Sequence, residues 1–228
     1  MNIYVHHDAK ALARLVGASH HCCEGVFLGH GTIAGEVLAS FADGNPLDET
    51  WALDVELPGP RIVVWSGTLA SSLFGDEPRT WMSAGRDAFR TFCDAAAPTL
   101  VARRRSLAFR PHARHVLSDV QSCISFTRER SGQPFELAVG PTDLLTVPML
   151  DDIADHLGRI VATLAPVTSM FLLHDVVADG ELLKPVPLGQ GILPREVLRS
   201  LLAEHAPADL PIVLLPQAIP EQRDWLEG

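Results

Sequence analysis

Residues 106–112 read Ser106-Leu107-Ala108-Phe109-Arg110-Pro111-His112. A short apolar run closed by an arginine and a proline is too brief for a helix and has the near-continuous hydrophobicity of a strand covered on both faces. Longer segments of helical character flank it, Thr80 to Arg104 before and Val116 to Arg130 after. The same alternation recurs outward along the chain. Strands are expected at Ile3 to His6, Gly25 to Leu28, Arg61 to Ser66, Phe135 to Val139, Ser169 to Leu173 and Pro211 to Leu215. Helices are expected at Asp8 to Val16, Ile33 to Phe41, Asp48 to Val55, Leu150 to Leu164 and Pro194 to Glu204. Repeated βα units of this kind define an α/β fold. They give seven strands where an eight-stranded barrel needs one more, so the expectation is either a missed strand or an incomplete barrel.

The chain has 228 residues, 47% hydrophobic and 20% charged. That is enough apolar surface to offset the chain entropy of folding, which excludes a disordered protein and fits one domain over residues 1–228. The longest stretch free of charge and histidine, Ile160 to Leu173, contains Pro166 and is too short for a bilayer crossing, so no membrane is expected as a partner. A formal charge of −10 repels a phosphate backbone, and no nucleic acid is expected either. The one basic cluster, Arg103 to Arg105, reads as a solvated helix end, where cations stabilise the helix dipole.

Cys22, Cys23, Cys93 and Cys123 have no disulfide-scaffold spacing, and Met1 to Lys10 lacks a basic stretch followed by an apolar one, so a reduced, cytoplasmic protein is expected. His20, His21, Cys22, Cys23 and Glu24 are soft-metal ligand types in a row. Neighbours on an extended segment face opposite ways and no second cluster completes a four-ligand set, so packing is the preferred reading. Only two basic residues are lysines, Lys10 and Lys184, a bias of GC-rich bacterial genomes.

There is no phosphate-cradling GxxxxGK[ST], no GxGxxG, no GxSxG elbow and no HExxH helix, so function must be sought at the strand ends. Three strand-end segments carry a pattern: Leu107 to His112; Gly140-Pro141-Thr142-Asp143-Leu144; and Leu172-Leu173-His174-Asp175 continuing through Val186-Pro187-Leu188-Gly189-Gln190-Gly191 to a helix at Val197. In order and spacing they resemble the sugar phosphate isomerase/epimerase superfamily, the xylose isomerase-like TIM barrels, over residues 60–217. The resemblance implies a TIM-type (β/α) barrel, here shortened and irregular in its N-terminal part. In the same register the family's metal ligands are replaced: its glutamate by Arg110, its aspartate by Gly140, its histidine by Leu172, and its last glutamate near Leu215. The resemblance therefore implies a divergent member with no metal and no other cofactor, in which Arg110 supplies the positive charge and holds an anion.

Strand alternation adds candidates. His112 shares the face of Arg110 if the strand continues, His174 shares that of Leu172, and Gln217 that of Leu215, while Asp143 stands where the family has a histidine. Histidines titrate near neutrality, so His174 and His112 are the candidate proton carriers and Asp143 the orienting or basic carboxylate. Arg110, Gln217, Trp65, His30 and Lys184 are the candidate substrate contacts. Trp65 would stack on a planar group, although a core tryptophan is the plainer reading. Lys184 suits a Schiff base only if desolvated. His6 and His7 end another strand. Asp175 is expected to bond backbone amides of the following loop.

The leading functional expectation is a metal-independent enzyme acting on a small carbonyl or sugar-phosphate-like molecule by acid/base chemistry, through isomerisation or a Pictet–Spengler-type amine–aldehyde cyclisation. Two alternatives stand beside it: a catalytically silent relative that binds a metabolite or partner, and a divalent-metal isomerase whose ligands lie in another register. A shortened barrel with open apolar edges would favour a homodimer.

Overall fold

The computed structural model describes residues 2–7, 23–29, 32–57 and 59–228. Its strands are β1 (Asn2–His7), β2 (Cys23–Gly29), β3 (Thr32–Phe41), β4 (Arg61–Trp65), β5 (Ser106–Arg110), β6 (Phe135–Val139), β7 (Met170–Leu173), β8 (Asp175–Asp179), β9 (Leu182–Val186) and β10 (Pro211–Leu214). Eight of them close a barrel in the order β1-β10-β7-β6-β5-β4-β3-β2, and β8 with β9 forms a separate antiparallel hairpin. Seven barrel strands run parallel, including the β1–β10 pair that closes the ring. β2 is antiparallel to both neighbours, which is the irregularity of the N-terminal part.

The barrel strand missing from the sequence reading is β3, and the hairpin strands β8 and β9 had no counterpart there either. Ile33, Ala34, Val37, Leu38 and Phe41 satisfy helical spacing, and the segment was expected as a helix, but residues 32–41 pair with β2 instead. Pairing across a two-residue connection after Gly29 outweighs the local period, and the β-branched Thr32, Ile33 and Val37 favour the extended form. The second wrong helix, Asp48 to Val55, is a series of turns. There the Asp48 carboxylate accepts the backbone N–H and the hydroxyl of Thr50, local bonds that compete with a helix. The expected helix Asp8 to Val16 lies outside the described residues.

Five α-helices are described: α1 (Ser83–Arg103), α2 (Val120–Glu129), α3 (Ile153–Leu164), α4 (Arg195–His205) and α5 (Ile219–Glu227). The last had no counterpart in the sequence reading. Arg103 ends α1 and Arg104 caps it in the left-handed region (φ 53°), as expected of a solvated helix end. The sheet divides two cores by strict alternation. Ile62, Val64, Leu107, Phe109, Leu137 and Phe171 face the helices, whereas Val63, Ala108, Ala138, Met170, Leu172 and Val213 fill the barrel. Phe109 is fully buried, with ring centroids of Phe89 at 4.7 Å and Phe126 at 5.4 Å. No helix among the described residues is long and apolar enough to cross a membrane. Among the described residues the eight barrel strands pair all the way round the ring.

Candidate active site

Arg110 ends β5 on the face of Ala108 and so points into the barrel mouth. Its Nε donates to Asp143 Oδ2 (2.7 Å) and its Nη2 to Asp143 Oδ1 (3.0 Å), a bidentate pair whose side chains are 14% and 7% exposed. Trp65, at the end of β4 and opposite Arg110 in the register, lies with its ring 4.0 Å from the guanidinium carbon. It is thus a mouth residue stacked on a cation rather than a core tryptophan.

Asp143 comes from the 3₁₀ turn Pro141–Leu144 after β6. Gly140 makes its position available: a Cβ there would stand 2.1 Å from Asp143 Oδ2. Gly140 has an ordinary φ of −90°, so the requirement is for space and not for conformation. His174, directly after β7, is 3% exposed, with Nε2 at 3.1 Å from Asp143 Oδ1 and 3.2 Å from Arg110 Nη2. Its Nδ1 lies 3.1 Å from Thr142 Oγ1 and 3.3 Å from the Asp175 carbonyl. Three consecutive strand ends therefore deliver a connected cluster of Arg110, Asp143, His174 and Thr142.

His112 lies beyond the end of β5, where the chain has already turned, its N–H bonding the Leu117 carbonyl. Its Nδ1 accepts the Arg114 N–H at 3.1 Å, so the proton sits on Nε2. Around it pack Trp65, Phe74 and His115, with ring centroids 4.9 to 5.6 Å from its own. His115 is fully buried and its Nε2 donates to the Leu73 carbonyl at 2.7 Å.

Burial sets the electrostatics. It pushes the His112 imidazole down to about 4; the Asp143 carboxylate opposes this, and the charges of Arg110 and Arg114 add to it. Burial, then the neighbouring His112, pushes His115 down to about 3. Both are neutral at pH 7, and with Nδ1 accepting from Arg114 the His112 ring carries its proton at Nε2. For Asp143 burial acts to raise the carboxyl, but Arg110 and then His174 outweigh it and hold the group well below the usual carboxylate range.

A cavity of about 480 Å³ opens over this cluster, lined by His112, Thr142, Asp143 and His174 below and by the β8–β9 hairpin, Arg114 and the residues after Asp143 around it. Asp175 holds the hairpin base. Its Oδ1 accepts the N–H groups of Val176 (2.8 Å) and Leu193 (2.9 Å), and its Oδ2 those of Gly191 (2.9 Å) and Gly189 (3.2 Å). A Cβ on Gly191 would come within 2.3 Å of that carboxylate, so the Leu-Gly-x-Gly loop is shaped by Asp175, in the amide-bonding role expected of it.

Other expected residues stay outside the cluster. Gln217 is exposed, because β10 ends at Leu214 and alternation stops there; its carbonyl accepts from Gln222 Nε2 at 2.6 Å. Lys184 is exposed on β9, paired across from Val177, and lacks the desolvation a Schiff-base lysine needs. His6 stacks on Phe41, centroids 4.3 Å apart. His30 and the run His20 to Cys22 lie outside the described residues, as do the side chains of His7, Cys23 and Glu24. Thr142, Arg114, His115 and Phe74 were missed. The run Pro111-His112-Ala113-Arg114-His115 after a strand was the available signal for two of them.

The donor set does not suit a divalent metal of the kind held by the family that the sequence resembles. Arg110, Gly140, Leu172 and Leu215 offer no anionic or imidazole donor, and the nearby Asp143 and His174 already contact a guanidinium. Among the described residues no group of three or more His, Cys, Asp or Glu side chains is placed to hold a metal ion.

Fold and site together define an α/β-barrel protein with a ligand-sized cavity at the C-terminal ends of its strands. Among solved structures it is similar to a D-psicose 3-epimerase crystallised with D-fructose (12% identity, TM-score 0.48, 68% of this chain and 50% of that one). It is also similar to a xylose isomerase domain protein from Planctomyces limnophilus (11%, 0.49, 72% and 54%). A third likeness is the probable 3-DHS dehydratase involved in petrobactin synthesis from Bacillus anthracis (9%, 0.49, 73% and 61%). The chain thus spans between half and three fifths of the length of these proteins. No family model and no curated protein sequence matches it.

Proposed function

We propose that the protein is a barrel enzyme that moves a proton next to the carbonyl of a small molecule, without a metal. The carrying observation is His174 at the 480 Å³ cavity, with Nε2 3.1 Å from Asp143 Oδ1 and the Thr142 hydroxyl against its ring, 3.1 Å from Nδ1 and 3.4 Å from Nε2. Two tautomers fit the ring: with Nδ1–H, the ring donates to the Asp175 carbonyl and Nε2 accepts from Arg110 Nη2, whereas with Nε2–H it donates to Asp143. His174 takes up the substrate proton at its unprotonated ring nitrogen, and the Asp143 carboxylate stabilises the imidazolium that forms. Arg110 is a positioning residue: its bidentate grip fixes the carboxylate that orients the ring. Isomerisation and amine–aldehyde cyclisation both use such a shuttle.

Deuterium exchange tests this reading. A panel of ketoses, keto acids and aldehydes incubated in D₂O should show enzyme-dependent exchange at the carbon next to the carbonyl for one class. His174→Gln should lower it by about 10² to 10⁴-fold, the usual contribution of a positioned acid or base.

A second reading is a silent, ligand-binding relative. It is favoured by one observation: the Arg110 fork and both His174 nitrogens already have partners inside the fold. Ligand binding without exchange or condensation across the panel would decide for it.

A further inference from the structure

Arg110 is not the anion holder of this site. Its two-pronged edge is closed by Asp143, and an incoming anion would have to displace a buried carboxylate. The cavity has a second cation. Arg114 lines it, with its side chain 21% exposed, and among the described residues its one ion-pair partner is Glu181 at 3.7 Å, beyond hydrogen-bond reach. Glu181 sits at the tip of the β8–β9 hairpin and is 93% exposed, so water screens that attraction and displacing it costs little. Beside these polar groups and Thr146, six larger apolar side chains line the cavity: Leu145, Val147, Pro148, Val176, Leu182 and Leu183.

From this arrangement we infer that the ligand is a carboxylate with an apolar body, held by Arg114 in exchange for Glu181, and not a sugar or sugar phosphate. The inference rests on the proposal that this cavity is the substrate site. A polyol would find partners at the polar end of the cavity but none along the six apolar side chains, whereas an aryl or branched alkyl group set against those six gains from leaving water. One guanidinium matches one carboxylate, through two parallel hydrogen bonds, and so sets the distance from the anion to the carbon that meets His174. The volume, about 480 Å³, is in the range of small-ligand sites.

Calorimetric titration with phenylpyruvate, phenylacetamide and fructose 6-phosphate tests this. Phenylpyruvate should bind, Arg114→Gln should weaken it at least tenfold with an unchanged melting temperature, and Glu181→Gln should tighten it severalfold by removing the competing carboxylate. The neutral amide should bind at least tenfold more weakly, and fructose 6-phosphate should not compete. Equal phenylpyruvate affinity in the wild type and Arg114→Gln, tighter binding of fructose 6-phosphate than of phenylpyruvate, or no binding of phenylpyruvate at millimolar concentration would each overturn the inference. The two proposals fail separately. Turnover lost in His174→Gln beside binding indifferent to Arg114→Gln sinks the substrate class alone, and Arg114-dependent binding by a protein that exchanges nothing upholds it while the catalytic reading falls.

Discussion

The Asp143 carboxylate occupies the space that a side chain on Gly140 would fill, and from there it meets the Arg110 guanidinium edge to edge. Glycine on one strand end thus admits an acid from three residues further along, and that acid neutralises a cation delivered by the neighbouring strand. The barrel mouth holds a compensated charge pair, oriented by Trp65 on one side and shared with His174 on the other.

Breaking this pair from one side should be costly. Asp143→Asn leaves a guanidinium largely withdrawn from water with no counter-charge, and should destabilise the fold by about 3–5 kcal/mol in urea unfolding. The double change Arg110→Met with Asp143→Leu should recover most of that loss, because two apolar groups of similar volume carry no desolvation penalty. A double variant as unstable as the single would contradict this.

Gly140→Ala should act through the same contact. Backbone conformation permits alanine, but the new Cβ would lie 2.1 Å from Asp143 Oδ2, so the carboxylate must give way. A loss of about 1–3 kcal/mol is expected, as for other overpacked sites, together with loss of the His174 contact visible as a shifted imidazole resonance by NMR. An unchanged spectrum would mean that the loop absorbs the methyl group.

Stability should fall with acid in two stages. His112 and His115 have folded values of about 4 and about 3 against an ordinary 6.5, so between these limits the unfolded chain binds more protons. Their contribution is complete above pH 6.5 and drains away as the pH drops, at up to about 1.4 kcal/mol per pH unit for each ring. Asp143, held low, contributes fully above its ordinary 3.8 and loses that contribution only below it. Urea midpoints measured from pH 7 to pH 4.5 should decline, and His115→Phe should flatten the decline; a variant with the parent slope would show that His115 does not titrate as described.

Asp175→Ala should loosen the hairpin over the cavity. Four backbone N–H groups lose their acceptor, each bond to a charged group being worth about 1.5–3 kcal/mol. Limited proteolysis should then cut within residues 180–192 faster than in the parent while the barrel core stays protected. Equal cutting rates would place the hairpin's anchorage elsewhere.

Much of the barrel is legible in the sequence because parallel strands buried on both faces leave an unmistakable local trace. Leu107 to Phe109, Ile62 to Val64 and Met170 to Leu173 are apolar at nearly every position and bounded by turn residues, and the resemblance put Arg110 at the strand end. β3 was not legible, since its apolar residues suit either period and only pairing with β2 chooses between them. Alternation also failed where strands stop. His112 and Gln217 lie past the last paired residue, and the chain's turn decides where such side chains go.

By itself, then, the sequence determined the βα rhythm, the cation at the end of β5 and the amide-binding role of Asp175, all properties carried within a few consecutive residues. Tertiary structure alone decided that Arg110 is paired with Asp143, that Thr142 lies against the His174 ring, and that Arg114 lines the cavity with, among the described residues, one ion-pair partner, which is screened. The physical reason is one of range: burial and periodicity are written into neighbouring positions, whereas the availability of a charge depends on which distant groups the closed ring brings within about 3 Å of it.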